Sequence, residues 1–168
     1  FRSTGGGVTF SGGEPTLQMG FLQYFLPELK KEEIGIGLET CGLFNLERFR
    51  KSVLPFLDFI YFDLKLIDPD ASRRYTGASN ETILGNFLSL HHDSGIAVIP
   101  RIPLIPDITT TESNLDGFAR FLQRHGVKGC SLMPYNPLWG AKARKNGIAV
   151  KYSRPTFMTR EEEERCVR

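Results

Sequence analysis

Five short stretches of this chain combine residue types that do chemistry. Gly5-Gly6-Gly7-Val8-Thr9-Phe10 runs into Ser11-Gly12-Gly13-Glu14-Pro15. Glu39-Thr40-Cys41-Gly42, Asp63-Leu64-Lys65, Arg101-Ile102-Pro103-Leu104-Ile105-Pro106 and Met133-Pro134-Tyr135-Asn136 follow in order. In the first stretch, Gly12 and Gly13 let the backbone turn sharply and approach a ligand with no Cβ in the way. Glu14 offers a lone carboxylate acceptor beside that turn. Asp63 and Lys65 stand two residues apart, with Arg101 as a further cation. From spacing alone, Asp63 and Lys65 serve equally well as an interior ion pair, with Arg101 as a partner of Asp63.

The elements that must position these residues alternate along the chain. Apolar, β-prone runs over residues 8–11, 34–40, 59–66, 97–104 and 127–135 predict strands, and Pro15 suits the first turn of a helix over 17–31. Residues 21–29, 46–56, 83–91 and 115–123 carry apolar side chains at three- and four-residue spacing, which predicts amphipathic helices. Asn80 and Thr111 sit where N-caps would, and Gly95 and Gly126 where helices would stop. This alternation implies parallel βαβ units, in a barrel or an open doubly wound sheet. Within the third run Asp63 and Lys65 share one face, and Phe62, Leu64 and Leu66 take the other. Every strand ends in polar residues, and α/β folds bind ligands at the carboxyl ends of their strands. The five stretches therefore form one candidate site.

Composition narrows the partners. A chain of 168 residues with 40% hydrophobic content can bury one sizeable core, and a net charge of +2 with dispersed Lys and Arg gives no nucleic-acid footprint. No uninterrupted apolar run approaches the roughly 20 residues that span a bilayer. Cys41, Cys130 and Cys166 are odd in number and far apart, which argues against a disulfide framework and fits a reducing compartment. A soluble, cytoplasmic protein is expected. His91 and His92 read as solvated or dipole-stabilising residues at a helix end, residues 161–164 as a solvated helix face within a helix over 161–167, and Cys130 as a small buried strand residue. Trp139 follows Asn136, either in the core or at the mouth of the site.

The five stretches, in this order, resemble the radical S-adenosylmethionine enzymes, specifically the glycyl-radical-enzyme activating enzymes of the pyruvate formate-lyase activating type. The resemblance runs over almost the whole chain and implies an α/β fold, a partial TIM-like (β/α) barrel with five of about six parallel strands present. It implies reductive cleavage of S-adenosylmethionine and hydrogen abstraction from a backbone glycine of a glycyl radical enzyme, by default pyruvate formate-lyase. A 4Fe-4S cluster and a flavodoxin-like electron donor come with that activity. Carried over residue by residue, Ser11, Gly12, Gly13 and Glu14 would meet the methionine amino group. Glu39, Thr40 and Asp63 would line the methionine end, where Glu39 and Asp63 could hold a monovalent cation. Lys65 and Arg101 would be the catalytic cations facing the carboxylate or ribose, and Asn136 would hydrogen-bond the ribose.

The family's Cys-x-x-x-Cys-x-x-Cys cluster motif does not occur in this sequence. Residues 1–168 are therefore expected to be a single domain truncated at the N-terminus and at the C-terminus, with the cluster ligands upstream of Phe1 and no activity of its own. The missing preceding strand predicts weak self-association or a covered sheet edge. A rival reading comes from Asp63-Leu64-Lys65-Leu66-Ile67-Asp68, which is similar to the Asp-x-Lys-x-x-Asp pattern of orotidine-phosphate-decarboxylase-type barrels. A third is a non-catalytic binding fragment.

Overall fold

The apolar runs form five strands: β1 (Gly7–Phe10), β2 (Gly35–Thr40), β3 (Phe59–Asp63), β4 (Ala97–Leu104) and β5 (Ser131–Pro134). In the structure, a computed structural model, residues 5–138, 140, 145, 147 and 152–167 are described. The strands make one parallel sheet in the order β1-β2-β3-β4-β5. Between them run α1 (Met19–Lys31), α2 (Leu46–Ser52), α3 (Pro69–Thr76), α4 (Glu81–Asp93) and α5 (Glu112–Arg124). Parallel crossovers have one hand, so an order that never reverses puts the helices on one face of the sheet. This is the arrangement of a partial barrel; a doubly wound sheet would need a reversal.

The core lies between that face and the helices. Leu22 and Leu26 of α1, Phe49 of α2, Phe87 and Leu90 of α4, and Phe118 and Leu122 of α5 pack in one cluster with Ile36, Leu38, Ile60, Phe62, Val98 and Ile102 of the strands. The alternate strand residues take the concave face, and there the packing is aromatic. Gly37 leaves room for the Phe59 ring, since a Cβ on Gly37 would come within 2.2 Å of it. Phe59 meets Tyr61 edge-on at 5.0 Å, and the Arg101 guanidinium lies 4.8 Å above the Tyr61 ring. Phe59 and Tyr61 thus floor the site from below.

Several elements differ from the sequence expectations, each for a local reason. The helix over 46–56 breaks at Pro55, and Leu54–Phe56 forms a 3-10 turn instead. The segment 17–31 opens with a 3-10 turn, Pro15–Gln18, before α1. β3 stops at Asp63, although Leu64 N still donates to Arg101 O at 2.8 Å. Lys65 therefore sits on the loop after the strand, while Phe62, Leu64 and Leu66 are buried. β5 is limited to the four residues that pair with Arg101–Leu104, which leaves Cys130 exposed rather than buried in a strand. Helix α3 was not expected: it has no apolar stripe, and its ends are fixed by Asp68, which accepts from Ala71 N at 2.7 Å, and by Gly77 at φ 88°. Gly95 and Gly126 do follow helix ends, at φ 74° and 70°.

The last helix, Arg160–Arg165, opens with a capping box between Thr159 and Glu162. Glu162 is not simply solvated, because both of its oxygens accept from Arg154, at 2.8 Å each. Among the described residues, β1 has one partner strand, and Leu17, Phe21 and Tyr24 in the segment that follows it are exposed. No helix among these residues is long and apolar enough to cross a membrane. Trp139 lies outside the described residues.

Candidate functional site at the carboxyl ends of the strands

The turn after β1 places Glu14 against the end of β2. Gly12, at φ 126°, makes the turn, and Glu14 then caps the 3-10 turn that Pro15 begins. Glu14 Oε1 accepts from Thr16 N at 3.1 Å, Thr16 Oγ1 at 2.6 Å and Thr40 Oγ1 at 2.8 Å, and Oε2 accepts from Cys41 N at 2.8 Å. This carboxylate thus already accepts four hydrogen bonds from Thr16, Thr40 and Cys41. Burial alone would raise its pKa, but the hydrogen bonds from Thr16 and Cys41 together hold it below the ordinary glutamate value. Its side-chain and backbone donors are all neutral, so the negative charge stays uncompensated. The same neighbourhood acts on Cys41, whose thiol is pushed up by burial and by Glu14.

A second cluster lies one strand over. Arg101 Nε and Nη2 donate to Asp63 Oδ1 at 3.1 and 3.0 Å, and Nη1 donates to Glu39 Oε1 at 3.1 Å. Arg101 is 8% exposed. Burial opposes its charge, but Glu39 and Asp63 raise its pKa further still. The structure thus places Arg101 between the two carboxylates expected to hold a cation, and supplies them with a counter-charge. Lys65 is held more loosely, with Nζ 3.4 Å from Asp63 Oδ2.

Ser11, Gly12, Gly13, Glu14, Glu39, Thr40, Asp63 and Lys65 all line one cleft, together with Cys41. Gly13, Cys41, Asp63 and Lys65 continue into a larger cavity of about 640 Å³, whose far walls include Leu66, Tyr75, Ile105, Tyr135 and Tyr152. That size lies within the roughly 300–1,000 Å³ typical of small-molecule sites. Asn136 is not brought into it: the residue is exposed, and its Oδ1 accepts from Leu138 N at 2.9 Å within its own loop. Asp68 is also elsewhere, capping α3, so the Asp-x-Lys-x-x-Asp pattern does not converge on one site.

Sequence reading missed the residues that hold the cavity's loops. Asn86 Nδ2 donates to Gly42 O and Phe44 O at 2.8 and 2.9 Å. Asn80 occupies the N-cap position of α4 without a side-chain cap bond, and its Nδ2 donates to Leu66 O and Ile67 O. Asn114 donates to Lys65 O and Thr109 O, and its Oδ1 accepts from Ile67 N. Thr111 occupies its N-cap position without a side-chain cap bond. The available signal was an asparagine on an otherwise apolar helix face, as Asn86 is between Ile83 and Phe87.

No protein-family model matches the chain. It is 34% identical over 145 residues to the indoleacetate decarboxylase activating enzyme of Tractidigestivibacter scatoligenes, a match covering 84% of this chain and 45% of that protein. It is 33% identical over 155 residues to the trans-4-hydroxy-L-proline dehydratase activating enzyme of Clostridioides difficile, covering 90% of this chain and 50% of that protein. Among solved structures, a domain of the pyruvate-formate lyase-activating enzyme of Bacteroides vulgatus superposes with a TM-score of 0.72 at 25% identity, covering 96% of this chain and 91% of that one. The fold and the order of the site motifs define a radical S-adenosylmethionine barrel. The chain belongs to the glycyl-radical-enzyme activating enzymes. It spans about half the length of the curated relatives it matches.

Proposed function

We propose that these residues form the S-adenosylmethionine site of an enzyme that activates a glycyl radical enzyme. The observation that carries this reading is the pairing of opposite charges in one cleft: Glu14, a carboxylate satisfied by neutral donors alone, and Lys65, an ammonium only loosely held by Asp63. A cleft of this kind suits the amino and carboxylate ends of an amino acid, here the methionine half of the ligand. The adenosyl half would lie along the side of the larger cavity that Leu66, Ile105 and Tyr135 line. When bound and reduced by one electron, S-adenosylmethionine supplies cleavage to methionine together with hydrogen abstraction from a backbone glycine, leaving 5′-deoxyadenosine.

The chain's own residues do the positioning. Arg101 offsets one of the two negative charges of Glu39 and Asp63 and fixes where Lys65 rests. The 4Fe-4S cluster does not fit the described residues: no three ligating side chains among them converge, and Cys41, Cys130 and Cys166 are free and separate. Its thiolates belong elsewhere in a longer parent. The partner is a glycyl radical enzyme, with pyruvate formate-lyase as one candidate beside decarboxylases, lyases and dehydratases. A flavodoxin-like protein is the electron donor, and the setting is cytoplasmic.

Calorimetric titration of the full-length parent with S-adenosylmethionine tests this, beside an anaerobic assay for 5′-deoxyadenosine. Glu14→Gln removes the charge while keeping most of the shape, and should weaken binding about 10-fold or more, roughly 1.5 kcal/mol. Lys65→Ala should weaken it less. Unchanged affinity in Glu14→Gln, with no 5′-deoxyadenosine from the wild type, would overturn the reading.

A further inference from the structure

The outer wall of the cavity carries a cation that the small-ligand site does not use. Arg74 and Tyr75, in the last turn of α3, both line the cavity, and the Arg74 guanidinium lies 5.5 Å from the centre of the Tyr75 ring. Its neighbour Arg73 is paired with Asp70, whereas Arg74 has no carboxylate partner among the described residues. Tyr75 is 44% exposed, and Leu43, another residue lining the cavity, is 42% exposed. The wall is rigid, because Asp68 caps α3, Ser72 Oγ donates to Ala78 O at 2.8 Å, and Asn80 pins the loop before the helix.

Arg and Tyr are side chains enriched at protein interfaces. The relatives are activating enzymes whose substrates, by their names, are whole enzymes: a decarboxylase and a dehydratase. We propose that Arg74 and Tyr75, with Leu43, form the docking wall for the extended segment of the partner enzyme that carries the reacting glycine. This rests on the function proposed above. Tyr75 and Leu43 take apolar side chains of that segment, and the guanidinium donates to one of its oxygens, a main-chain carbonyl or a carboxylate. An extended segment leaves its carbonyls without internal partners, so a fixed fork of five donors meets a need that the segment itself creates.

The test uses the full-length parent, reconstituted anaerobically. Its partners are the glycyl radical enzyme encoded nearest its gene, indoleacetate decarboxylase and trans-4-hydroxy-L-proline dehydratase. Arg74→Gln and Tyr75→Ala change exposed residues, and thermal melting checks that both variants fold. Each should release 5′-deoxyadenosine without partner as the wild type does, yet show a KM for partner raised about tenfold, with the saturating rate of glycyl radical formation, read by electron paramagnetic resonance, retained. Arg74→Lys should fall between. A KM that rises with salt in the wild type but not in Arg74→Gln identifies a carboxylate as the acceptor, and a salt-independent KM a carbonyl. An unchanged KM in both variants overturns the docking wall. So does loss of partner-free 5′-deoxyadenosine release, which would assign these residues to the small ligand. If the wild type itself releases none, the proposed function fails first, and the docking wall falls with it.

Discussion

Asp63 and Arg101 are register partners across β3 and β4, and Asp63 Oδ1 accepts both Nε and Nη2 of Arg101, at 3.1 and 3.0 Å. Because Arg101 also reaches Glu39 from β2, one guanidinium ties three adjacent strands at their carboxyl ends. This leaves Asp63 Oδ2 as the weak, 3.4 Å partner of Lys65. The arrangement keeps Lys65 near the cleft without consuming its charge.

Arg101→Met is expected to leave Glu39 without its counter-charge and Asp63 with only the loosely held Lys65. Breaking a fully enclosed pair costs about 3–5 kcal/mol, but both carboxylates retain contact with water, so roughly 2–3 kcal/mol is expected. Urea unfolding measures it. Arg101→Lys should recover only part, because an ammonium cannot serve both carboxylates in a fixed fork. A loss below about 0.5 kcal/mol would show that the guanidinium does not brace the strands.

Glu14 links β1 to the end of β2, so its charge should appear in the pH dependence of stability. The folded-state pKa lies below the ordinary 4.5. A depressed carboxylate pKa contributes stability that is fully present above the unfolded value and is lost as pH falls through the folded one. The stability difference between wild type and Glu14→Gln should therefore be flat from pH 7 to about 4.5 and shrink below it. A difference that grows on acidification would contradict the network.

The chain's punctuation carried much of this. Glycine turns and polar strand ends marked Glu14, Glu39, Asp63, Lys65 and Arg101, because alternation and strand-end chemistry are local features of sequence. Two of the four donors to Glu14 are not local: Thr40 and Cys41 lie 26 and 27 residues away and meet it only once β1 and β2 pair. Helix α3 was hidden because its fold depends on its caps rather than on an apolar stripe. Asn136, which the resemblance placed at the ribose, does not line the cavity, and its amide oxygen accepts from Leu138 N two residues on.

Asn86→Ala tests whether the buried asparagines hold the site's loops. The substitution leaves Gly42 O and Phe44 O without their donor, and an unsatisfied buried group costs about 1–3 kcal/mol. A loss of roughly 2–3 kcal/mol in chemical denaturation is expected. Amide exchange should rise between Cys41 and Phe44, and stay unchanged in α5. Uniform exchange across the chain would show that Asn86 acts only through the core.

The segment that brings Tyr152 to the cavity is tied down by Arg154 and Glu162. Arg154 N and O both hydrogen-bond Tyr135 Oη at 3.3 Å, and Tyr152 meets the Tyr135 ring edge-on at 5.5 Å. The paired Arg154 guanidinium, with Thr159 N, draws the Glu162 carboxyl down to about 2. By the sign of that shift, the tie is complete above pH 4.5, still largely intact at pH 3.5, and lost as pH falls through about 2. A nuclear magnetic resonance titration of the Glu162 carboxyl carbon should give a midpoint near 2, and Glu162→Gln should lose the near-ultraviolet circular dichroism of the Tyr135–Tyr152 contact at neutral pH. A midpoint near 4.5, with the dichroism of the variant unchanged, would show that the ion pair does not hold this wall of the cavity.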